Sequence, residues 1–270
     1  MTVKESAVRS HMHAPAKMNS VKVLSKAFAA LDALSDTADL TPAELSLALG
    51  EPRSTIYRLL TALAEHDYVE PGARRGSYQL SLKLYTLGSA AARRFKDVRA
   101  AALPAMERLH DATHQTIFLV VRRGFQAVCI ERLEGQLVGV MILSVGGSIP
   151  LHAGANARTL LAFEPREFWA EYLASGPLHR FTDATPVTRK ALFSELEVIA
   201  ERGHAISDGD VIPGIASLGA PIFDHCDRIR AAISLSGPRP AILDGNLESN
   251  LELLGKSAAE ISRQLGSPGC

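Results

Sequence analysis

The sequence predicts an α+β chain in two parts: a small winged helix-turn-helix, then a larger domain that interleaves strands with helices. Three observations predict it. Residues 41–70 read as two helices and a strand joined by tight turns. A hairpin follows directly, with two glycines and two arginines in its turn. From residue 116 onward the apolar period moves back and forth between the two-residue repeat of strands and the roughly 3.6-residue repeat of helices. At 270 residues the chain is long enough for two domains.

The elements of the first part follow in order. A helix is expected over 20–34, capped by Ser20, with Val23, Leu24, Ala27, Leu31 and Leu34 as its apolar stripe. Thr41, Pro42 and Glu44 spell the start of the next helix. Thr41 caps, Pro42 sits where its missing donor is not needed, and Glu44 completes a capping box. Leu45, Ala48 and Leu49 face inward and Gly50 ends the helix. Pro52 starts the third, whose inward stripe is Ile56, Leu59, Leu60 and Leu63. That leaves Arg53, Ser54 and Thr55 at its opening, with Tyr57 and Arg58 one turn on, the pattern of a recognition helix that enters a DNA major groove. Arginine reads guanine or phosphate, and the hydroxyls donate to either. A helical hairpin taken alone reads as readily as core packing. The strands at 68–70 and 77–80 decide the matter, because Arg74 and Arg75 in their turn make the hairpin a basic wing.

Charge limits what this reader can do alone. Residues 20–80 carry six Lys and Arg against eight Asp and Glu, and the whole chain is neutral. A strong nonspecific binder shows a domain-wide basic excess. One copy is therefore expected to bind duplex DNA weakly, and useful affinity to need two or more copies.

A linker helix is expected over 81–96, with Leu82, Leu84, Tyr85, Leu87 and Ala91 as apolar positions and a dimer contact as its role. A second helix over 98–112 follows despite Pro104. Strands are expected at 116–122, 127–132 and 137–143, helices at 151–163, 164–173 and 188–202, strands again at 204–207, 217–223 and 230–236, and a last helix at 246–265. Hairpins among the strands give an antiparallel or mixed sheet with helices on its faces. The domains are thus a disordered tail at 1–19, the winged helix at 20–80, the linker at 81–96 and the second domain at 97–266.

Composition excludes several classes. Hydrophobic content of 47% with 21% charged residues is that of a globular protein. No apolar run approaches the roughly 18 residues of a membrane span, and no secretory leader is visible, so the chain is expected in the cytoplasm without a membrane partner. Cys129, Cys226 and Cys270 form no disulfide or zinc spacing, and Cys129 and Cys226 are expected to be buried. His110 and His114 stand four apart, yet a metal site needs further ligands. HExxH, GxSxG, Walker A and GxGxxG are absent, and no catalytic constellation, cofactor or metal is expected. The alternative is a small-molecule-binding enzyme or sensor that uses the helical hairpin for protein contacts.

The chain resembles the IclR family of bacterial transcriptional regulators over residues 20–265. The resemblance is carried by LGEPRSTIYRLL at 49–60, YQL at 78–80, LGSA at 87–90, VG at 145–146 and IPLHA at 149–153. RGHA at 202–205, GAPIFD at 219–224 and AISLSGP at 232–238 complete it. It implies a winged helix joined by a linker helix to a GAF-like effector domain, dimers that pair into tetramers on operator DNA, and control of a catabolic operon by a small organic acid. The effector positions it implies are Met141, Leu143, Gly154, Ala155, Ser207 or Asp208, Ser217, Ser234 and Ser236. Gly154 would let a carboxylate approach N–H groups at a helix start, and the serines would supply hydroxyls in an apolar pocket. Members that sense glyoxylate or pyruvate carry an acid at the place of Ser207 and a cysteine at that of Ser217. The departure here points to an aromatic or larger carboxylic acid.

Overall fold

A computed structural model describes residues 22–135 and 143–268. The expected tail at 1–19, the cap Ser20, nearly all of the strand at 137–143 including Met141, and Cys270 lie outside the described residues. Contacts divide the chain into two units, residues 1–91 and 92–270.

The first unit contains α1 (Lys22–Ser35), α2 (Pro42–Leu49), α3 (Arg53–Glu65), β1 (Val69–Pro71), β2 (Tyr78–Leu80) and most of α4 (Leu82–Ala92). The caps are those the sequence spells. The Thr41 hydroxyl accepts from the Glu44 N–H, the Glu44 carboxylate accepts from the Thr41 N–H at 2.7 Å, and Gly50 closes α2 with φ +65°. Leu34, Leu45, Ile56, Leu59, Leu60 and Val69 form the core. The wing gains a third rung where Leu40 and Tyr78 exchange backbone hydrogen bonds. A Cβ at Gly72 would stand 2.4 Å from the Ser77 hydroxyl, so the turn closes only with glycine there.

The second unit continues through a 3-10 turn (Arg93–Phe95), α5 (Lys96–Thr113), β3 (Thr116–Arg123), β4 (Gln126–Leu133), β5 (Ser148–Pro150), α6 (Ala155–Ala162), α7 (Arg166–Ala174) and α8 (Arg189–Arg202). It ends with β6 (Ala205–Asp208), β7 (Ile215–Phe223), β8 (Ile229–Pro238), α9 (Arg239–Ile242) and α10 (Leu247–Gln264). The strands form one six-stranded sheet in the order β5-β4-β3-β8-β7-β6, and every pair is antiparallel. Helices cover both faces, which is why β3 is an unbroken apolar run. Ile117 and Leu119 pack with α5 and α10, while Phe118 and Val120 pack with α6, α7 and α8. Gly219 sets how closely α6 approaches. A Cβ there would meet the Ala155 carbonyl at 2.8 Å, so the start of α6 rests on β7.

Two short elements, β5 and α9, have no expectation in the sequence. At three and four residues they are shorter than any periodic window. Cys129 is buried as expected, and burial pushes its thiol up to about 11. Cys226 is exposed instead, because it sits in the turn between β7 and β8 and not on a strand.

Candidate functional site

In the first unit, α3 begins after Pro52 with no side-chain cap. Arg53, Ser54, Tyr57 and Arg58 are exposed, with Thr55 half-buried beside them. Arg75 is exposed on the wing. Among the described residues, Arg53, Arg58 and Arg75 have no acidic partner.

Arg74 does not share that freedom. Its Nε binds Asp39, and its two terminal nitrogens bind Glu44 at 3.0 Å. The Arg74 hydrogen bonds hold the carboxyl of Asp39 below its ordinary value and, with those from Thr41, bring Glu44 down to about 2. Arg74, expected at the DNA, is here paired with two carboxylates that anchor the wing to the start of α2. Lys26 is likewise paired, to Glu51 at 2.7 Å.

The second unit holds a cavity of about 50 Å³ against the α6 face of the sheet. That is several times the ~10–15 Å³ that one water-sized group needs. Leu143, Gly154, Ser217, Ser234 and Ser236 line it, and with Ser207, the expected alternative to Asp208, six of the expected effector positions meet there. Phe118, Ile149, Val211, Ile212 and Ile215 make the wall mostly apolar, and Asn156 also reaches it. Register explains the serines: Ser236 pairs with Ser217, and Ser234 pairs with Phe118, all on one face. Ser234 is 1% exposed and its hydroxyl has no hydrogen-bond partner among the described residues.

Two expected positions are not in this wall. Asp208 is exposed and points to the opposite face, where both its oxygens bind Arg239 Nε at 3.0 Å. Strand parity puts Ser207 inside and its neighbour outside. Ala155 is buried beneath the cavity, and its N–H reaches the Ser217 hydroxyl at 3.4 Å.

Gly154 lines the cavity, but its N–H is already committed. It donates to Asp210 at 3.1 Å. The carboxylate of Asp210, 3% exposed, also accepts from Ser207 and from the buried guanidinium of Arg158. Burial works against the charge of Asp210, and Arg158, Ser207 and Gly154 together outweigh it, so its carboxyl lies below the usual range. Arg158 also faces Glu195 at 2.9 Å and donates to the Ile206 carbonyl. Neither Arg158 nor Asp210 stands out by sequence reasoning. The signal available was a charged residue in an otherwise apolar helix turn and another between Gly209 and Gly214.

The remaining candidates fall away. His110 donates to or accepts from groups of its own surroundings, Asp111 and the Glu134 carbonyl, and His114 caps α5. Asp224, His225 and Cys226 lie together in the β7–β8 turn. There the Asp224 carboxylate accepts the N–H groups of Cys226 and Arg228, which closes the turn. No helix among the described residues is long and apolar enough to cross a membrane.

Comparisons with known proteins bear on this geometry. The model of the bacterial transcriptional regulator IclR C-terminal domain matches residues 90–263, and that of the IclR helix-turn-helix domain matches residues 23–72. The chain is 30% identical to the HTH-type transcriptional regulator KipR of Bacillus subtilis over 248 residues, covering 92% of this chain and 98% of that one. It is 32% identical to the HTH-type transcriptional repressor AllR of Escherichia coli over 224 residues, covering 83% and 82%. The crystal structure of the Thermotoga maritima IclR superposes with a TM-score of 0.74 at 30% identity, covering 91% and 99%. An IclR homologue of Microbacterium hydrocarbonoxydans, solved with 4-hydroxybenzoate, superposes at 0.75 with 25% identity, covering 90% and 98%.

Proposed function

The chain belongs to the IclR family of bacterial transcriptional regulators, and from that premise we propose that it is a homodimeric regulator whose second unit senses an aromatic carboxylic acid. As a family member it is a DNA-binding transcriptional regulator and not an enzyme. The alternative of an enzyme that uses its helical hairpin for protein contacts is not favoured by these relatives. The observation that carries the sensing role is the Ser234 hydroxyl, buried in the wall of an apolar cavity without a partner among the described residues. A buried hydroxyl left unpaired costs stability unless something binds it. The solved homologue with 4-hydroxybenzoate supports the same ligand class.

Operator contact is assigned to Arg53, Ser54, Thr55, Tyr57, Arg58 and Arg75. Ligand contact is assigned to Leu143, Gly154, Ser217, Ser234 and Ser236, in the cytoplasm, on a catabolic operon. Val23, Leu24 and Phe28 on α1 and Leu82 and Tyr85 on α4 are all more than half exposed, which supports pairing of copies through this unit. Gel retardation with the DNA upstream of its own gene tests the reading. A sequence-specific band whose mobility or intensity changes with aromatic acids is expected. A folded protein that shifts no upstream fragment, with or without them, overturns it.

A further inference from the structure

An organic acid in this cavity needs a counter-charge, and the groups expected to provide one are occupied. The Gly154 N–H serves Asp210, and Arg158 faces Asp210 and Glu195 together. A cation whose ion-pair partner, Glu134, is exposed stands on β4. In the sheet, β3 runs between β4 and β8, and Phe118 pairs with Arg132 on one side and with Ser234 on the other. Residues directly opposite share a face, so Arg132, Phe118 and Ser234 form one row on the face that carries the cavity. Both ends of the row are unsatisfied. Arg132 Nε and Ser234 Oγ are buried without hydrogen-bond partners among the described residues.

The centre of the Arg132 guanidinium lies 5.6 Å from the centroid of the Phe118 ring, and that ring is part of the cavity wall. The Arg132 side chain is 12% exposed, whereas Glu134, its one ion-pair partner among the described residues, is 61% exposed. The negative member is thus screened by water, while the positive member is shielded from it and acts on the cavity through an apolar medium.

We propose that Arg132 sets the charge preference of the pocket, drawing in the anionic group of the ligand across Phe118 while Ser234 takes a hydrogen-bonding group at the other end of the row. Strands spaced about 4.8 Å apart put the two backbones about 10 Å from each other. That span suits a single ring with polar groups at both ends, as in a hydroxybenzoate, and not an acid of two or three carbons. This inference rests on the sensing role proposed above.

Calorimetric titration of the full chain with 4-hydroxybenzoate and with its neutral counterpart 4-hydroxybenzamide tests it. The unaltered protein should prefer the acid by about tenfold or more. Arg132→Gln should bring the ratio close to one by weakening the acid alone, Arg132→Lys should keep most of the preference, and Ser234→Ala should weaken both ligands alike. A purely structural arginine would weaken both together and leave the ratio intact, which overturns the proposal. Glu134→Gln, at an exposed position whose charge water already screens, should leave the acid preference in place, and its loss there counts equally against the proposal. Binding of neither ligand by the unaltered protein overturns the ligand class. Gel retardation on the same preparation then shows whether the regulator reading stands on its own.

Discussion

Two adjacent arginines on the wing, Arg74 and Arg75, look interchangeable in the sequence and differ entirely in their surroundings. Arg74 is bound by Asp39 and Glu44, and Arg75 has no acidic partner among the described residues. Each phosphate contact contributes about 0.9 to the slope of log affinity against log salt on duplex DNA. Arg75→Ala should therefore lower that slope by roughly one, measured by fluorescence anisotropy across a salt series. Arg74→Gln should loosen the wing and weaken binding at every salt concentration without changing the slope. An equal fall in slope for both would show that Arg74 reaches the DNA after all. The difference was not legible in the sequence, because Asp39 stands 35 residues from Arg74 and the wing must fold before they meet. The same holds for Arg158 and Asp210, 52 residues apart. Asp208 was different: its exposure follows from strand parity alone, and the acid that serves the pocket lies two residues further on, past the end of β6.

At the scale of elements, what was written locally was read, and what depends on tertiary closure was not. The caps Thr41, Glu44 and Gly50 and the stripe of α3 act within one or two turns, so they fix those helices before anything packs, whereas Ala48, expected on the inward face of α2, is exposed. The unbroken apolar run of β3 marks a strand covered on both faces. By contrast, the segment Leu151 to Gly154 that leads into α6 is held by a contact no pattern displays. Its His152, 1% exposed, receives a hydrogen bond from the Tyr172 hydroxyl of α7 at 2.6 Å on Nδ1 and donates from Nε2 to the His179 carbonyl at 2.8 Å. With the Nε2 proton on the His179 carbonyl, the neutral ring has its remaining nitrogen free to accept from Tyr172. Burial lowers the pKa of His152, with Arg158 acting in the same direction, and burial also lowers that of His204. A ring that resists protonation in the folded state binds fewer protons than the unfolded chain. Its contribution to stability is complete above the ordinary histidine value of about 6.5 and is lost as pH falls through the lower folded value. Urea unfolding should show a lower midpoint at about pH 5.5 than at about pH 7.5, and His152→Gln should reduce that difference while leaving the His204 part. A midpoint difference unchanged by the substitution would remove His152 from the account.

The molecule as a whole binds DNA under a constraint that its charge imposes. It is neutral overall, and within the first unit Lys26 and Arg74 are neutralised by Glu51, Asp39 and Glu44. Of the six bases in residues 20–80 that leaves Lys22, Arg53, Arg58 and Arg75, and only the three arginines stand on α3 and the wing, too few for one copy to hold an operator at physiological salt. The same unit offers a way to combine copies. No residue of α4 is buried, Leu82 and Tyr85 are each 74% exposed, and α1 exposes Phe28 at 57%. The proposed pairing would cover these large apolar side chains, and joining two weak readers converts the second contact into an intramolecular one. Phe28→Glu and Tyr85→Glu sit at exposed positions, so they should leave the fold intact while opposing association. Sedimentation should then show a lower mass for the double variant than for the unaltered chain. Its operator affinity should fall by at least ~100-fold, and its salt slope should drop toward that of a single reader. A double variant that sediments unchanged and still binds its operator tightly would place the pairing surface elsewhere. The few free arginines of this reader would then have to be supplemented by contacts outside α3 and the wing.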